Sequence, residues 1–171
     1  MDFLRLKETS LLHGPEEAEQ SEIGATAGAD DPRLRHLQRV PLFRGFSEDE
    51  LRRVAGISRI LEAPTGTVLT RIGSPGESFF VIIDGSAAVQ TPMGVGDPLQ
   101  PGYFFGEMSL LDGEPRSATI TAMTDVRLLV VERSHFWRLL DETPELTRRI
   151  LMVLSRRVRH LEQAANALWV A

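Results

Sequence analysis

Short runs of β-branched and aromatic residues recur between residues 57 and 132, and they restrict this chain to a small set of folds. Glycine, proline and aspartate lie between the runs, at the places where turns would join neighbouring strands. Many short strands separated by turns are typical of a β-barrel or jelly roll. The runs that we interpret as strands are Val68–Ile72, Phe79–Ile83, Ala87–Thr91, Ala118–Ala122 and Val126–Val131.

Helical patterns precede this region. Asp31 before Pro32 is typical of a capped helix start and predicts a helix over about residues 32–39. Ser47 with Glu50 three residues later forms a capping-box pattern, which predicts a second helix that ends near Ala55.

Helical patterns also follow the strands. Ser134 is the predicted cap of a short helix over Phe136–Leu140, and Thr143 with Pro144 predicts the start of a long helix. We therefore predict one mainly β domain with flanking helices, which the length of 171 residues accommodates. The predicted segments are a flexible acidic stretch over 1–31, the first helices and the strands over 32–143, and a C-terminal helix over 144–171.

The long helix carries two different faces. The part of its apolar stripe from Ile150 to Leu161 is too long for a barrel alone to cover, so we predict a homodimer in which a second chain packs against it. Its arginines suggest either contact with nucleic acid or a solvated surface, and we favour the solvated surface. The stripe contains Leu146, Ile150, Val153, Leu154, Val158 and Leu161, and the arginines are Arg148, Arg149, Arg156, Arg157 and Arg159.

Composition and charge narrow the class of protein. The chain has no cysteine, no apolar run near eighteen residues and no signal-like N-terminus, which predicts a cytoplasmic protein without a membrane partner. Residues 1–31 carry eight acidic side chains against Arg5 and Lys7, whereas residues 32–171 have a net charge of +1. A nearly neutral folded region gives no electrostatic reason to bind DNA.

Residues 105–119 contain the most specific chemistry in the chain. Gly106 allows a tight turn into a short helix, whose first free N–H groups form an anion site. Arg116 supplies a permanently charged fork that can bind two phosphate oxygens. Glu107 would repel a phosphate, so it is better explained as an acceptor for a sugar hydroxyl such as a ribose 2′-OH. Together these residues suggest a nucleotide whose phosphate folds back on its own sugar.

The same residues resemble the phosphate-binding cassette of cyclic nucleotide-binding domains. That cassette has the pattern F-G-E-x-[AS]-L-x-x-x-x-P-R-[ST]-A, and every fixed position is filled between Phe105 and Ala118. The resemblance extends over about residues 34–163 and implies a β-roll, or jelly roll, with a long C-terminal helix. Further matching positions are the helical lead-in Val40–Ser47, the glycine turns at Gly66, Gly73 and Gly76, and the strand and turn Phe79–Gly85.

The resemblance also implies roles for single residues. Glu107 would accept the ribose 2′-OH, Arg116 and Ser117 would bind the cyclic phosphate, and the amides of Gly106, Glu107, Met108 and Ser109 would complete the anion pocket. Val89 and Leu99 match positions that pack on the base. The Thr-Ser pair that contacts adenine in catabolite activators falls here on Leu161 and Glu162, so Leu161 is a possible lid that packs on the base. We expect cAMP to be favoured over cGMP, without any cofactor.

Enzymatic alternatives are weaker. The histidines at positions 13, 36, 135 and 160 form no close ligand set, so we expect neither a metal site nor catalysis. Ser109 lacks the surroundings of a nucleophile elbow. The sequence ends without the DNA-binding domain of catabolite activators, which predicts a free-standing sensor that regulates an unidentified protein partner. Two alternatives remain open: an interaction module that no longer responds to nucleotide, and a DNA-binding regulator that uses the arginine face.

Overall fold

The computed structural model describes residues 31–169, except the side chains of residues 32, 164 and 166–169. The segment 1–30, for which we predict flexibility, and residues 170–171 lie outside the described residues. The helices are α1 (Pro32–Arg39), α2 (Glu48–Gly56), α3 (Glu107–Asp112), α4 (Arg133–Glu142) and α5 (Pro144–Trp169), with a 3₁₀ turn at Pro41–Phe43. The strands are β1 (Arg59–Ala63), β2 (Val68–Thr70), β3 (Ser78–Asp84), β4 (Ala87–Thr91), β5 (Gly94–Val95), β6 (Phe104–Phe105), β7 (Thr119–Ala122) and β8 (Val126–Glu132).

The strands form two four-stranded antiparallel sheets, so the predicted β-roll with flanking helices and a long C-terminal helix is confirmed. One sheet has the order β1-β8-β3-β6 and the other β2-β7-β4-β5. Successive side chains of β3 point to opposite faces of the sheet. Phe80 and Ile82 therefore face the space between the sheets, while Phe79 and Val81 face the helices. The roll therefore has two apolar cores that share β3 and β8.

The helix starts differ in how their first N–H groups are satisfied. Asp31 accepts from Arg33 N, and Ser47 and Glu50 form the predicted capping box. The predicted Ser134 cap is wrong, because α4 already begins at Arg133. There the backbone N–H of Arg133 donates to the carbonyl of Glu77 at 2.7 Å, so a neighbouring loop replaces a side-chain cap.

The apolar stripe of α5 is divided between two surroundings. Leu146 and Ile150 are buried in a core cluster that also contains residues of α1, α2 and α4, and Val153 and Leu154 pack against that cluster. The first part of the predicted dimer stripe, from Ile150 to Leu154, therefore belongs to the domain's own core. Farther along the helix, Val158 and Leu161 are exposed, together with Leu151. One side of the helix therefore docks on the domain as far as Arg157, while Leu151, Val158 and Leu161 form an exposed apolar surface.

Arg149 does not lie on a solvated surface, which corrects part of the prediction for the arginine face. Its guanidinium donates to the carbonyls of Leu42 and Arg44 and to Glu145, and it packs over the ring of Phe46 at 4.9 Å. Sequence spacing alone places Arg149 opposite the apolar stripe, but a long guanidinium can reach carbonyls beside the helix.

Candidate functional site

The cassette is a short strand, a sharp turn and a one-and-a-half-turn helix. Phe104–Phe105 pair with β3, and the chain then turns at Gly106, whose φ of +86° favours glycine. A Cβ at Gly106 would lie 2.5 Å from Arg116 Nη1 and 2.7 Å from the carbonyl oxygen of Ser78. Glycine is therefore required both by the backbone conformation and by the close approach of Arg116.

Arg116 is fixed at the centre of the cassette. Only 7% of the residue is exposed, and its Nη1 and Nη2 donate to the carbonyls of Gly106 and Ser78, both at 2.7 Å. Its guanidinium lies 5.8 Å from the ring centroid of Phe80. Burial lowers the pKa of Arg116, while Glu107 opposes that shift. Because an arginine keeps its charge even so, the site holds a positive group in one orientation.

Glu107 is the most buried ionisable side chain of the site, with 1% exposure. Its Oε1 accepts from Arg157 Nη1 at 2.5 Å, and Arg157 Nη2 also donates to the carbonyl of Phe104 at 2.9 Å. Burial raises the pKa of Glu107, and the charges of Arg157 and Arg116 oppose that rise. The carboxylate is therefore joined to α5 through a single guanidinium.

Arg157 is the functional residue whose place in the site sequence reasoning missed. We assigned it to a solvated face, which is wrong, because it points towards Phe104 and Glu107. One feature of the sequence could have indicated this position: Arg157 follows Arg149 by eight residues, which places both on the same side of α5.

The remaining cassette residues lie around Arg116 and Glu107. Ser109 is buried, whereas the neighbouring Met108 of α3 is exposed. The hydroxyl of Ser117 donates to Met108 Sδ at 3.7 Å, a weak contact that leaves it available to another acceptor. The structure thus brings together Gly106, Glu107, Met108, Ser109, Arg116 and Ser117.

The residues predicted to contact the base occupy a second region. Val89 pairs with Ile120 in the β2-β7-β4-β5 sheet, and Leu99 is buried beside Ala87 in the core between the sheets. Leu161 is 61% exposed on α5 with Glu162 exposed beside it, and their role as a lid over the base stays a prediction.

The described residues were also searched for a metal site and for a membrane-spanning helix. Within residues 31–169, no group of three or more His, Cys, Asp or Glu side chains is placed to hold a metal ion. In the same part of the chain, no helix is both long and apolar enough to cross a membrane.

Comparison with protein families gives an independent finding. The family model for the cyclic nucleotide-binding domain matches residues 60–143, which include the whole cassette. The chain contains a cyclic nucleotide-binding domain. The matched regions in its relatives are regulatory domains rather than catalytic ones.

The chain is similar to parts of longer proteins with different names. A cyclic nucleotide-gated potassium channel from Mesorhizobium japonicum is 43% identical over 107 residues, which cover 63% of this chain and 30% of the channel. A cAMP-dependent protein kinase regulatory subunit from Aspergillus niger is 34% identical over 116 residues, which cover 66% of this chain and 28% of the subunit. The chain therefore spans less than a third of the length of these curated relatives.

The fold is also similar to solved structures. The Thermus thermophilus Catabolite Activator Protein superposes with a TM-score of 0.68 and 28% identity, covering 75% of this chain and 62% of that chain. The chain is thus similar to parts of a channel, a kinase regulatory subunit and an activator protein.

Proposed function

We propose that this protein is a cyclic nucleotide sensor, with cAMP favoured over cGMP, that changes conformation on binding and thereby regulates a protein partner. The observation that carries the proposal is the arrangement around Glu107. This buried carboxylate belongs to the cassette and is bonded to Arg157 of α5. One side chain thus belongs both to the proposed ligand site and to the contact with the C-terminal helix.

The cassette offers a distinct partner for each part of the ligand. Arg116 and Ser117 bind the cyclic phosphate, together with the amides between Gly106 and Ser109, and Glu107 accepts the ribose 2′-OH. Val89, Leu99 and Leu161 contact the base, with Glu162 beside them. The orientation of Arg116 by two carbonyls supports this assignment, because a preorganised charge loses little conformational freedom when it binds an anion.

The ribose contact suggests how binding reaches α5. A 2′-OH that donates to Glu107 competes with Arg157 for the carboxylate or shares it, which changes how strongly α5 is bound to the cassette. Ligand binding then shifts the equilibrium of α5 by no more than the difference in ligand affinity between its two positions. Movement of Leu161 onto the base would complete the bound state.

We also propose a homodimer formed through the exposed apolar part of α5. The exposed Leu151 and Val158 lie seven residues apart and Leu161 follows three residues later, which is a spacing that packs two helices together. The unidentified protein partner, the absence of catalysis and the cytoplasmic location are part of the same proposal. That the sensor is free-standing stays a prediction from the sequence.

The alternative DNA-binding function is weakened by the arginines themselves. Arg149 and Arg157 are bonded to other parts of the domain, and the exposed Arg148 is paired with Glu145. Arg156 and Arg159 are the other exposed arginines of the predicted face. The other alternative is an interaction module that does not respond to nucleotide. Titration of the protein with cyclic nucleotides distinguishes it from a sensor, because only a sensor binds them.

The test is a calorimetric titration of the wild-type protein with cAMP and with cGMP. We expect saturable binding of cAMP with higher affinity than cGMP. Arg116→Ala should weaken cAMP binding by about 100-fold, because the phosphate loses its buried counter-charge, a loss on the order of 3 kcal/mol. Arg138→Ala is the matched control, since Arg138 is an exposed arginine of α4. No heat with either nucleotide would favour the interaction module, and wild-type affinity in the Arg116 variant would contradict the assigned site.

A further inference from the structure

The sulfur atoms of this protein all belong to methionine, because the chain has no cysteine. A thioether is oxidised reversibly to a sulfoxide, which turns an apolar side chain into a polar one. Four of the five methionines lie within the described residues, and all four are exposed. A small oxidant can therefore reach each of them, and the surroundings of each sulfur decide whether oxidation has an effect. These methionines are Met93, Met108, Met123 and Met152.

Met108 lies at the solvent edge of the cassette. It belongs to the first turn of α3, where Glu107, Ser109 and Leu110 are buried while Met108 is 46% exposed. The buried neighbours fill the inner side of this short helix, so the thioether is accessible from solvent. The same residue contributes its backbone amide to the proposed phosphate site.

The sulfur of Met108 contacts the serine that we assign to the cyclic phosphate. Ser117 Oγ donates to Met108 Sδ at 3.7 Å, and Ser117 directly follows Arg116. Because a thioether is a weak acceptor, the hydroxyl loses little when it turns from the sulfur to a phosphate oxygen. The reduced side chain thus leaves the Ser117 donor available to a ligand.

Oxidation by a peroxide would change this balance. A lone pair of Sδ attacks one oxygen of hydrogen peroxide, the O–O bond breaks, an S–O bond forms and the other oxygen leaves as water. The sulfur loses two electrons and the peroxide gains them. The new oxygen is a polar acceptor bonded to the atom that Ser117 already contacts, so it would hold the hydroxyl in a hydrogen bond of ordinary O–H···O type. The negative end of the S–O dipole would also face an anionic ligand.

We propose that Met108 is a modification site, where reversible oxidation to the sulfoxide by a peroxide weakens binding of the cyclic phosphate through Ser117. This inference rests on the proposed function for the identity of the ligand, but the contact between Met108 and Ser117 does not depend on it. Return to the thioether uses a dithiol, which becomes a disulfide while the sulfoxide oxygen leaves as water.

The test measures cAMP affinity by calorimetry before and after treatment with hydrogen peroxide, with oxidation at each methionine followed by peptide mass spectrometry. We expect about ten-fold weaker binding once Met108 is oxidised, the size of losing a hydrogen bond to a charged group. Treatment with a methionine sulfoxide reductase and dithiothreitol should restore the affinity.

Two methionine variants locate the effect. Met108→Leu, compared with itself before and after peroxide, should show no change in affinity, because leucine has no sulfur. Met93→Leu is the matched control, since Met93 is exposed at the β4–β5 hairpin, and it should respond to peroxide as the wild type does. An equal loss of affinity in Met108→Leu would overturn the inference, as would an unchanged affinity of wild type with Met108 oxidised. So would a Met108 that stays reduced while Met93 is fully oxidised.

Ser117→Ala separates the serine contact from a general effect of oxidation. This variant should start from a lower affinity and lose clearly less than ten-fold on oxidation, because the hydroxyl is already absent; a full ten-fold loss would contradict the route through Ser117. If the untreated wild type binds no cyclic nucleotide, the proposed function fails and NMR of the ligand-free protein decides. The amide resonance of Ser117 should then shift on oxidation in the wild type but not in Met108→Leu, and an unshifted wild-type resonance would overturn the inference.

Discussion

At the scale of single residues, Glu107 lies in the field of two guanidinium groups that come from different parts of the chain. Arg116 belongs to the same cassette, whereas Arg157 approaches from α5, fifty residues away. A carboxylate this deeply buried is stable in its charged form only while such partners remain. Its environment therefore makes the stability of the site depend on the position of a distant helix.

The first residue-scale prediction concerns Arg157→Met. We expect a loss of about 2 kcal/mol in the free energy of unfolding, less than the loss on breaking a fully buried pair, because Arg157 is partly exposed. Glu107 has a raised pKa, so protonation relieves the unpaired charge, and the loss should shrink as the pH falls towards 4.5. Urea denaturation at pH 7 and pH 4.5 measures both effects. The double variant with Glu107→Gln should lose less than the sum of the single losses; strict additivity would contradict a direct contact.

The second residue-scale prediction compares two glycines. Gly76→Ala places a Cβ 2.3 Å from Ser109 Cβ, so the loop must move away from the cassette. We expect a destabilisation of about 1–3 kcal/mol, which is typical of overpacking, and at least ten-fold weaker cAMP binding. Gly56→Ala is the control, because a Cβ there meets nothing within 4 Å and alanine favours the helix. Thermal unfolding and calorimetry check both variants, and equal behaviour of the two would contradict the close packing at Gly76.

At the scale of elements, the docking of α5 begins with its first turn. Glu145 bonds Arg148 and Arg149, and Arg149 in turn bonds carbonyls beside the 3₁₀ turn. The side-chain bonds from these two arginines lower the pKa of Glu145 to about 2. The ionised carboxylate therefore helps to orient the guanidinium that ties α5 to the N-terminal part of the domain.

This arrangement predicts a pH-dependent effect of Glu145→Gln. Because the pKa is lower in the folded state than the ordinary 4.5, the stabilisation is present above pH 4.5 and disappears as the pH falls towards 2. The variant should unfold at a lower temperature than wild type at pH 6, and the two Tm values should converge near pH 2. Glu142→Gln is the control, since Glu142 lies 3.9 Å from Arg138. A constant Tm difference across this pH range would contradict the role of ionised Glu145.

The elements also show which parts of the fold were predictable. The capping box at Ser47 and the turn at Gly106 depend on neighbours within a few residues, so their local patterns predicted them correctly. The start of α4 and the strand β1 were not predicted: a carbonyl from Glu77 caps α4, and β1 mixes charged with apolar residues. The position of Arg157 was missed because, like the Glu77 carbonyl that caps α4, its partners are distant in sequence: its acceptors lie about fifty residues away.

At the scale of the whole molecule, the exposed turns of α5 determine the expected assembly. Val158→Asp should convert the proposed homodimer into a monomer, because a charge within an apolar helix pair loses its hydration. Met93→Asp is the control, since Met93 is 87% exposed at the β4–β5 hairpin, far along the chain from α5. Sedimentation at micromolar concentration distinguishes the outcomes. A wild-type monomer, or a Val158 variant that remains dimeric, would contradict the proposed interface.

The orientation of Arg116 has a consequence for the kinetics of the whole protein. Two carbonyls of the protein itself hold its guanidinium in place. Capture of a cyclic phosphate would then require no rotamer search at this residue, so we expect the association rate to be set by diffusion and by the local field. Variants along α4 and α5 that alter affinity should therefore act mainly on the dissociation rate, and so on the lifetime of the bound state.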